Sequence, residues 1–338
     1  MGDNTEGLKQ SENSQQINRK SMIIDFITKW GTLITIGLLI LVFSILMPPF
    51  ISASNIVTIL RSISIVTVIA IGITVSLTVN GFDLSVGSVS TFSVALVVSM
   101  FVWYDMSTIP AILIALLVSV VVVASLNAFL IVKVKIPDML ATLSMLFIIE
   151  GVAMTYTGGG SISQGMPRLD GTPTIGRLTP AFRMIGQAPY IIIIMLVVVI
   201  SVHIFLNYTK HGRYMYVVGG NQEAARLSGI PVNRYRALAY YLATFLAALG
   251  GIMLAARIGS AQINAGAGYL MPAVAASFIG ISVGGAGKPN ALGTFVGAVL
   301  VGVLENGLVM LSVPYYSLNI VKGAVLALAL ASTYLRKK

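Results

Sequence analysis

Residues 56–79 read IVTILRSISIVTVIAIGITVSLTV, with Arg61 as the single charge. Asn80-Gly81-Phe82-Asp83 follows, and a second apolar run begins at Leu84. Crossing a hydrocarbon core of ~30 Å takes roughly 20 apolar helical residues. A helix that is apolar on every side is either enclosed by other helices or spans a membrane. Working outward in both directions, runs of that kind recur at 31–47, 56–79, 84–102, 110–132, 138–156, 189–207, 237–256, 270–284, 290–311 and 316–334. The expected fold is therefore an all-α polytopic membrane protein with about ten transmembrane helices embedded in the lipid bilayer.

Composition agrees. Of 338 residues, 57% are hydrophobic and 9% charged, whereas a soluble domain carries about 25% charged residues. An ordinary globular enzyme, a disordered chain and a nucleic-acid-binding protein are thereby excluded. The net charge of +10 reports topology instead. With ten spans and the N-terminus inside, 15 of the 21 Lys and Arg fall on the cytoplasmic side, as the positive-inside rule requires. Both termini are then cytoplasmic. The organisation expected is a tail with a short interfacial helix over 1–30, one transmembrane domain over 31–334, and a C-terminal tail at 335–338. Residues 1–20 hold no apolar stretch, so no cleavable signal is expected.

Enzymatic chemistry finds no support. The chain has no cysteine, and His203 and His211 lack metal-ligand spacing. Gly284-Gly285-Ala286-Gly287-Lys288 has Ser282 and Pro289 where a phosphate-binding loop needs Gly and Ser or Thr. No catalytic residue, metal or cofactor is expected.

Two connections are longer than turns. Segment 157–188, external, carries Gly158-Gly159-Gly160 and three prolines, which suits a binding surface. Segment 208–236, cytoplasmic, contains Asn221-Gln222-Glu223-Ala224-Ala225-Arg226-Leu227-Ser228-Gly229. Asn221 is a good N-cap, Glu223 suits the first turn, Gly229 the C′ position, and Pro231 stops the helix. A two-turn helix is marginal alone in water, so a partner is expected to pack on it, with Ala224-Ala225 allowing close approach and Glu223 and Arg226 fixing register.

Ionisable groups in spans need partners or line a wet path. Asp83 is read both as the N-cap of the third span, helped by Ser85, and as a broken-helix element with Gly81 beside a pathway. Glu150 lies roughly 18 Å into its span at 1.5 Å per residue, so an Arg61–Glu150 pair is geometrically open. Glu305 and Lys322 form a second candidate pair. Gly293-Gly297 and Ala298-Gly302 have helix-packing spacing. Gly81-Phe82 finds a faint echo in Gly268-Tyr269, five spans later, which would make two five-helix halves an inverted repeat.

Gly212-Arg213-Tyr214, Gly219-Gly220-Asn221 and Glu223 to Ile230 resemble the cytoplasmic signature of ribose-type permease subunits of bacterial ABC importers. Gly81-Phe82-Asp83-Leu84-Ser85-Val86-Gly87-Ser88 is similar to that family's Gly-Ile-Asp-Leu-Ser-Val-Gly-Ser. Gly293-Thr294, Gly297-Ala298, Gly302-Val303-Leu304 and Asn306-Gly307-Leu308 form a third match. Phe82 and the Lys288-Pro289-Asn290 turn depart from the family pattern and suggest a subgroup. The resemblance implies a homodimeric channel in the bacterial cell membrane. Its partners would be a cytoplasmic ABC ATPase subunit and an extracytoplasmic solute-binding protein or lipoprotein, and 221–230 would be the helix seated in the ATPase. Asn306 falls with the pathway residues on this reading. A monosaccharide or similar small polar solute is implied; an autonomous secondary transporter or channel, or an ABC permease for a nucleoside, signalling sugar or amino acid, remain the alternatives.

Overall fold

The computed structural model describes residues 30–283 and 287–318, with 320, 321, 323, 324 and 327. Helices occupy the first nine of the expected spans: α1 (Trp30–Leu46), α2 (Ala53–Thr78), α3 (Val86–Val102), α4 (Thr108–Lys133), α5 (Asp138–Tyr156), α7 (Tyr190–Tyr208), α10 (Val232–Ile258), α11 (Ala267–Ser282) and α12 (Ala291–Met310). Between them lie α6 (Pro180–Ile185), α8 (Lys210–Gly220) and α9 (Gln222–Leu227). Six are long and apolar enough to cross a membrane, namely α2, α4, α5, α7, α10 and α12, while α1, α3 and α11 are shorter. Most of 316–334 lies outside the described residues, as do 1–29 and 335–338. Among the described residues no strand is formed beyond a single bridge, Ile162 with Ala261.

The centre of the bundle is built from α2, α3 and α10. Every residue of α2 from Ile63 to Ser76 is buried, as is all of α3. Helices α4, α5 and α7 surround them and turn Leu113, Leu117, Phe147, Ile193 and Val197 outward, the apolar exterior that lipid stabilises. With lipid as apolar as the core, close packing and hydrogen bonds must hold the helices together. Ser90 and Ser93 of α3 donate to the α10 carbonyls of Ala247 and Ala248 at 2.9 and 3.0 Å. This approach requires Gly251, where a Cβ would stand 2.1 Å from Ser93 Oγ. The small-residue spacing in α12 has the same use: a Cβ at Gly297 would stand 2.2 Å from the carbonyl of Ala276 in α11, and one at Gly302 2.1 Å from Ile63 Cγ2 in α2.

Two features depart from simple spans. Helix α4 contains π-helical turns at Val120–Ala124 and Phe129–Lys133, and Asn127 lies buried between them. The echo between Gly81-Phe82 and Gly268-Tyr269 is not a backbone likeness. Gly81-Phe82 sits in the irregular link between α2 and α3, whereas Gly268-Tyr269 falls in the first turn of α11.

Segment 157–188 folds back on one end of the bundle. Phe182 in α6 packs on Phe101 with ring centroids 4.7 Å apart. Thr179 caps that helix by accepting from the Phe182 amide at 3.2 Å. Arg168 lies over the Tyr104 ring.

Candidate functional site

At the other end, 208–236 forms a helical loop with its own signals. Thr209 Oγ1 accepts from the Gly212 amide at 3.1 Å and starts α8. Gly212, Met215 and Val218 turn inward. Gly219 meets the end of α2 so closely that a Cβ would stand 2.1 Å from the Thr78 carbonyl. Asn221 then leaves helical geometry, and its Oδ1 accepts from the amides of Glu223 and Ala224, both at 3.0 Å. Helix α9 closes with Ile230 N–H on the Ala225 carbonyl and Gly229 N–H on that of Arg226, each 3.0 Å, with Gly229 at φ +75°. That pair of bonds and the left-handed glycine form a Schellman motif. The cap and stop assigned from sequence therefore lie where the spacing placed them.

The two faces of α9 differ. Ala225 is buried against the bundle, while Ala224 is exposed and Leu227 is 82% exposed. Glu223 and Arg226 pair with each other on the exposed face; the Arg226 guanidinium holds the Glu223 carboxyl below its ordinary value. Beside them lies a cleft of about 640 Å³, walled by the α4–α5 turn and by α9 and the start of α10, with Lys135, Asp138, Arg234 and Arg236 among its lining.

Beneath the cleft lies the α2–α3 link. Asp83 is fully buried, and its Oδ1 accepts from Ser85 N–H at 2.9 Å and Ser85 Oγ at 2.6 Å. Asn127, between the π turns, donates to Ser85 Oγ at 3.0 Å. Asp83 Oδ2 and Asn127 Oδ1 are buried without a hydrogen-bond partner among the described residues. Burial pushes the Asp83 carboxyl up to about 6, against the pull of the Ser85 bonds, and Asp138 adds to the rise. The N-cap of α3 is Ser85 rather than Asp83, and it makes no side-chain cap bond; Asp83 instead holds Ser85 from the irregular link two residues earlier.

Nothing in the local spacing pointed to the cluster next to it. Asp138, the first residue of α5, accepts from Arg236 with Oδ1 and from Tyr240 with Oδ2. Tyr240 is wholly buried, and the Asp138 and Arg236 side chains are 14% and 16% exposed. A Cβ at Gly81 would stand 2.5 Å from Tyr240 Oη and 2.7 Å from Asp138 Oδ2. Thr142 of α5 donates to the Phe82 carbonyl at 3.0 Å.

The charges expected to pair inside the membrane behave differently. Arg61 donates to Gln187 at 2.6 Å, and no Arg61–Glu150 ion pair exists among the described residues. Depth alone suggested that pair; the turn before α7 carries a nearer acceptor. Glu305 borders a small apolar cavity with Pro272, Val301 and Leu308. Lys322 lies outside the described residues. Asn306 exchanges amide hydrogen bonds with Asn55 at 3.0 and 3.2 Å, tying α12 to the start of α2. His203 interacts with Asn207 at 3.1 Å, one turn on.

Comparison with known proteins places this geometry. Residues 55–330 match the family described as branched-chain amino acid transport system / permease component. The chain is 36% identical to the ribose import permease protein RbsC of Escherichia coli (strain K12) over 301 residues, covering 88% of this chain and 91% of that protein. It is 34% identical to RbsC of Bacillus subtilis (strain 168), covering 89% and 91% of the two chains. Identity to the galactose/methyl galactoside import permease protein MglC of Escherichia coli (strain K12) is 30%, covering 95% and 99%. No solved structure matches. With the match running from α2 to beyond α12, the chain belongs to the branched-chain amino acid transport system / permease component family, a family of multi-pass membrane permeases.

Proposed function

We propose that this chain is the permease subunit of an ATP-driven ABC importer that carries a monosaccharide across the bacterial cell membrane. It holds no ATPase site of its own. Two copies form the channel, each with ten spans. A cytoplasmic ATPase subunit binds 208–236, and an extracytoplasmic binding protein or lipoprotein delivers solute to 157–188. ATP binding closes the ATPase pair, the α9 helices move with it, and the bundle changes its open side.

The observation that carries this reading is α9. A six-residue helix fully capped at both ends, anchored by Ala225 and presenting Leu227 outward, is formed to engage something beyond this chain. A stand-alone carrier has no need of it. The solute class comes from the ribose and galactose import permeases to which the chain is similar along its length.

The test is reconstitution in liposomes with the cognate ATPase and binding protein, and labelled ribose or galactose as the probe. Uptake should require ATP and all three components. Leu227→Asp, at a residue making no core contact, should leave the permease folded and weaken its capture of the ATPase tenfold or more, as for a central interface anchor. Sugar flux through liposomes holding this chain alone overturns the proposal and favours a secondary transporter or channel.

A further inference from the structure

The α2–α3 link, from Thr78 to Ser85, is gripped on two sides by the two arms of the 208–236 loop. On one side is Gly219, whose backbone abuts the Thr78 carbonyl two residues before the Asn221 cap of α9. On the other is the start of α10. Arg236 and Tyr240 share the Asp138 carboxylate, and Gly81 lies against Tyr240 Oη and Asp138 Oδ2. Thr142 holds the Phe82 carbonyl from the same helix as Asp138. Asp138 and Arg236 also line the cleft beside Glu223 and Arg226, so one cluster touches both the docking face and the link between α2 and α3.

Coupling between distant sites travels through contiguous packed elements, and this cluster joins residues of the cleft to the α2–α3 link through side-chain hydrogen bonds. We infer that Asp138, Arg236 and Tyr240 are positioning residues that transmit movement of the 208–236 loop to the α2–α3 link. This rests on the reading of 208–236 as the ATPase-docking loop. A carboxylate with two charge-assisted bonds is stiff and directional; removing Arg236 leaves the Asp138 charge poorly compensated, and removing Tyr240 takes away the donor to its second oxygen. Gly81 admits no side chain there, which keeps the link in direct contact with the cluster.

The test uses the complete importer, with permease, ATPase and binding protein in proteoliposomes. Phosphate release and uptake of labelled ribose or galactose are measured together. Tyr240→Phe removes one hydrogen bond and no volume of consequence. Uptake per ATP should fall about tenfold or more, the scale of one hydrogen bond to a charged group, while phosphate release and assembly persist. Asp138→Asn should act in the same direction, and Arg236→Lys, which keeps the charge, should retain more coupling than Arg236→Gln. Should Asp138→Asn fail to assemble, Tyr240→Phe decides the question alone. Unchanged uptake per ATP in Tyr240→Phe, or uptake and hydrolysis falling in proportion as a purely structural defect would cause, overturns the inference. A wild-type complex with no ATP-dependent uptake overturns the proposed function instead, so the two failures are distinct.

Discussion

Asp83 concentrates the residue-scale physics. Its carboxyl is buried, doubly bonded to Ser85 through one oxygen and, among the described residues, unpartnered through the other. Burial pushes its pKa from 3.8 up to about 6. A carboxyl that holds its proton more tightly when folded stabilises the fold at low pH. The folded state binds more protons than the unfolded chain between pH 4 and 6, so stability falls as pH rises through that window and is flat above it. Between pH 5 and 7 the loss from this group is about 1 kcal/mol. Melting of the detergent-solubilised protein should therefore show a decline from pH 5 to 7 that Asp83→Asn reduces. An equal decline in the variant means Asp83 is ionised across the whole range. Local chemistry of this kind was legible before the structure. Asn221, Gly229 and Asp83 each act within a few residues of themselves, where spacing carries the information. Asp138 was not legible, because its partners Arg236 and Tyr240 lie about a hundred residues away, and an acid at the start of a helix already has an ordinary explanation.

At the scale of elements, length and apolarity located the helices, and small residues located their contacts. The reason is that membrane helices offer few other ways to pack. The π turns of α4 were beyond reach: Val120 to Val123 reads as one more apolar run, and only the buried Asn127 marks a use for the altered register. Arg61 failed for a different reason. Depth along a helix says how far a charge lies from an end but not which way it faces, and Gln187 claimed it. The glycine contacts can be tested by size. Gly251→Val would drive two methyl groups into Ser93 Oγ and the Ser90 carbonyl, where even a Cβ stands 2.1 and 2.4 Å away. The α3–α10 contact must then open, at a cost of about 1–3 kcal/mol or more. A Cβ at Gly151 in α5 meets nothing within 4 Å, and the residue is exposed. Size-exclusion yield and melting temperature should drop for Gly251→Val and hold for Gly151→Val. Equal behaviour of the two would mean that the serine-to-carbonyl bonds do not set the helix spacing.

On the scale of the whole molecule, the connections sort to two ends. The α4–α5 turn with Lys133 and Lys135 shares a cleft with 222–236. The turn before α12 joins the same end, since Tyr216 of α8 donates to the Pro289 carbonyl at 2.6 Å. Segment 157–188 instead meets residues 101–104, Ala261 and, through Gln187, Arg61. One end therefore gathers Lys133, Lys135, Lys210, Arg213, Arg226, Arg234, Arg236 and Lys288, the bias from which we propose that this end faces the cytoplasm. The absence of native cysteine makes a direct check simple. Ile175 is 83% exposed in segment 157–188, and Ser228 is exposed at the end of α9. A membrane-impermeant maleimide should label Ile175→Cys in intact cells stripped of any outer barrier and leave Ser228→Cys untouched. Inverted vesicles should reverse the pattern. Labelling of Ser228→Cys from outside would place α9 away from ATP, and no ATPase in the cytoplasm would then drive the bundle through it.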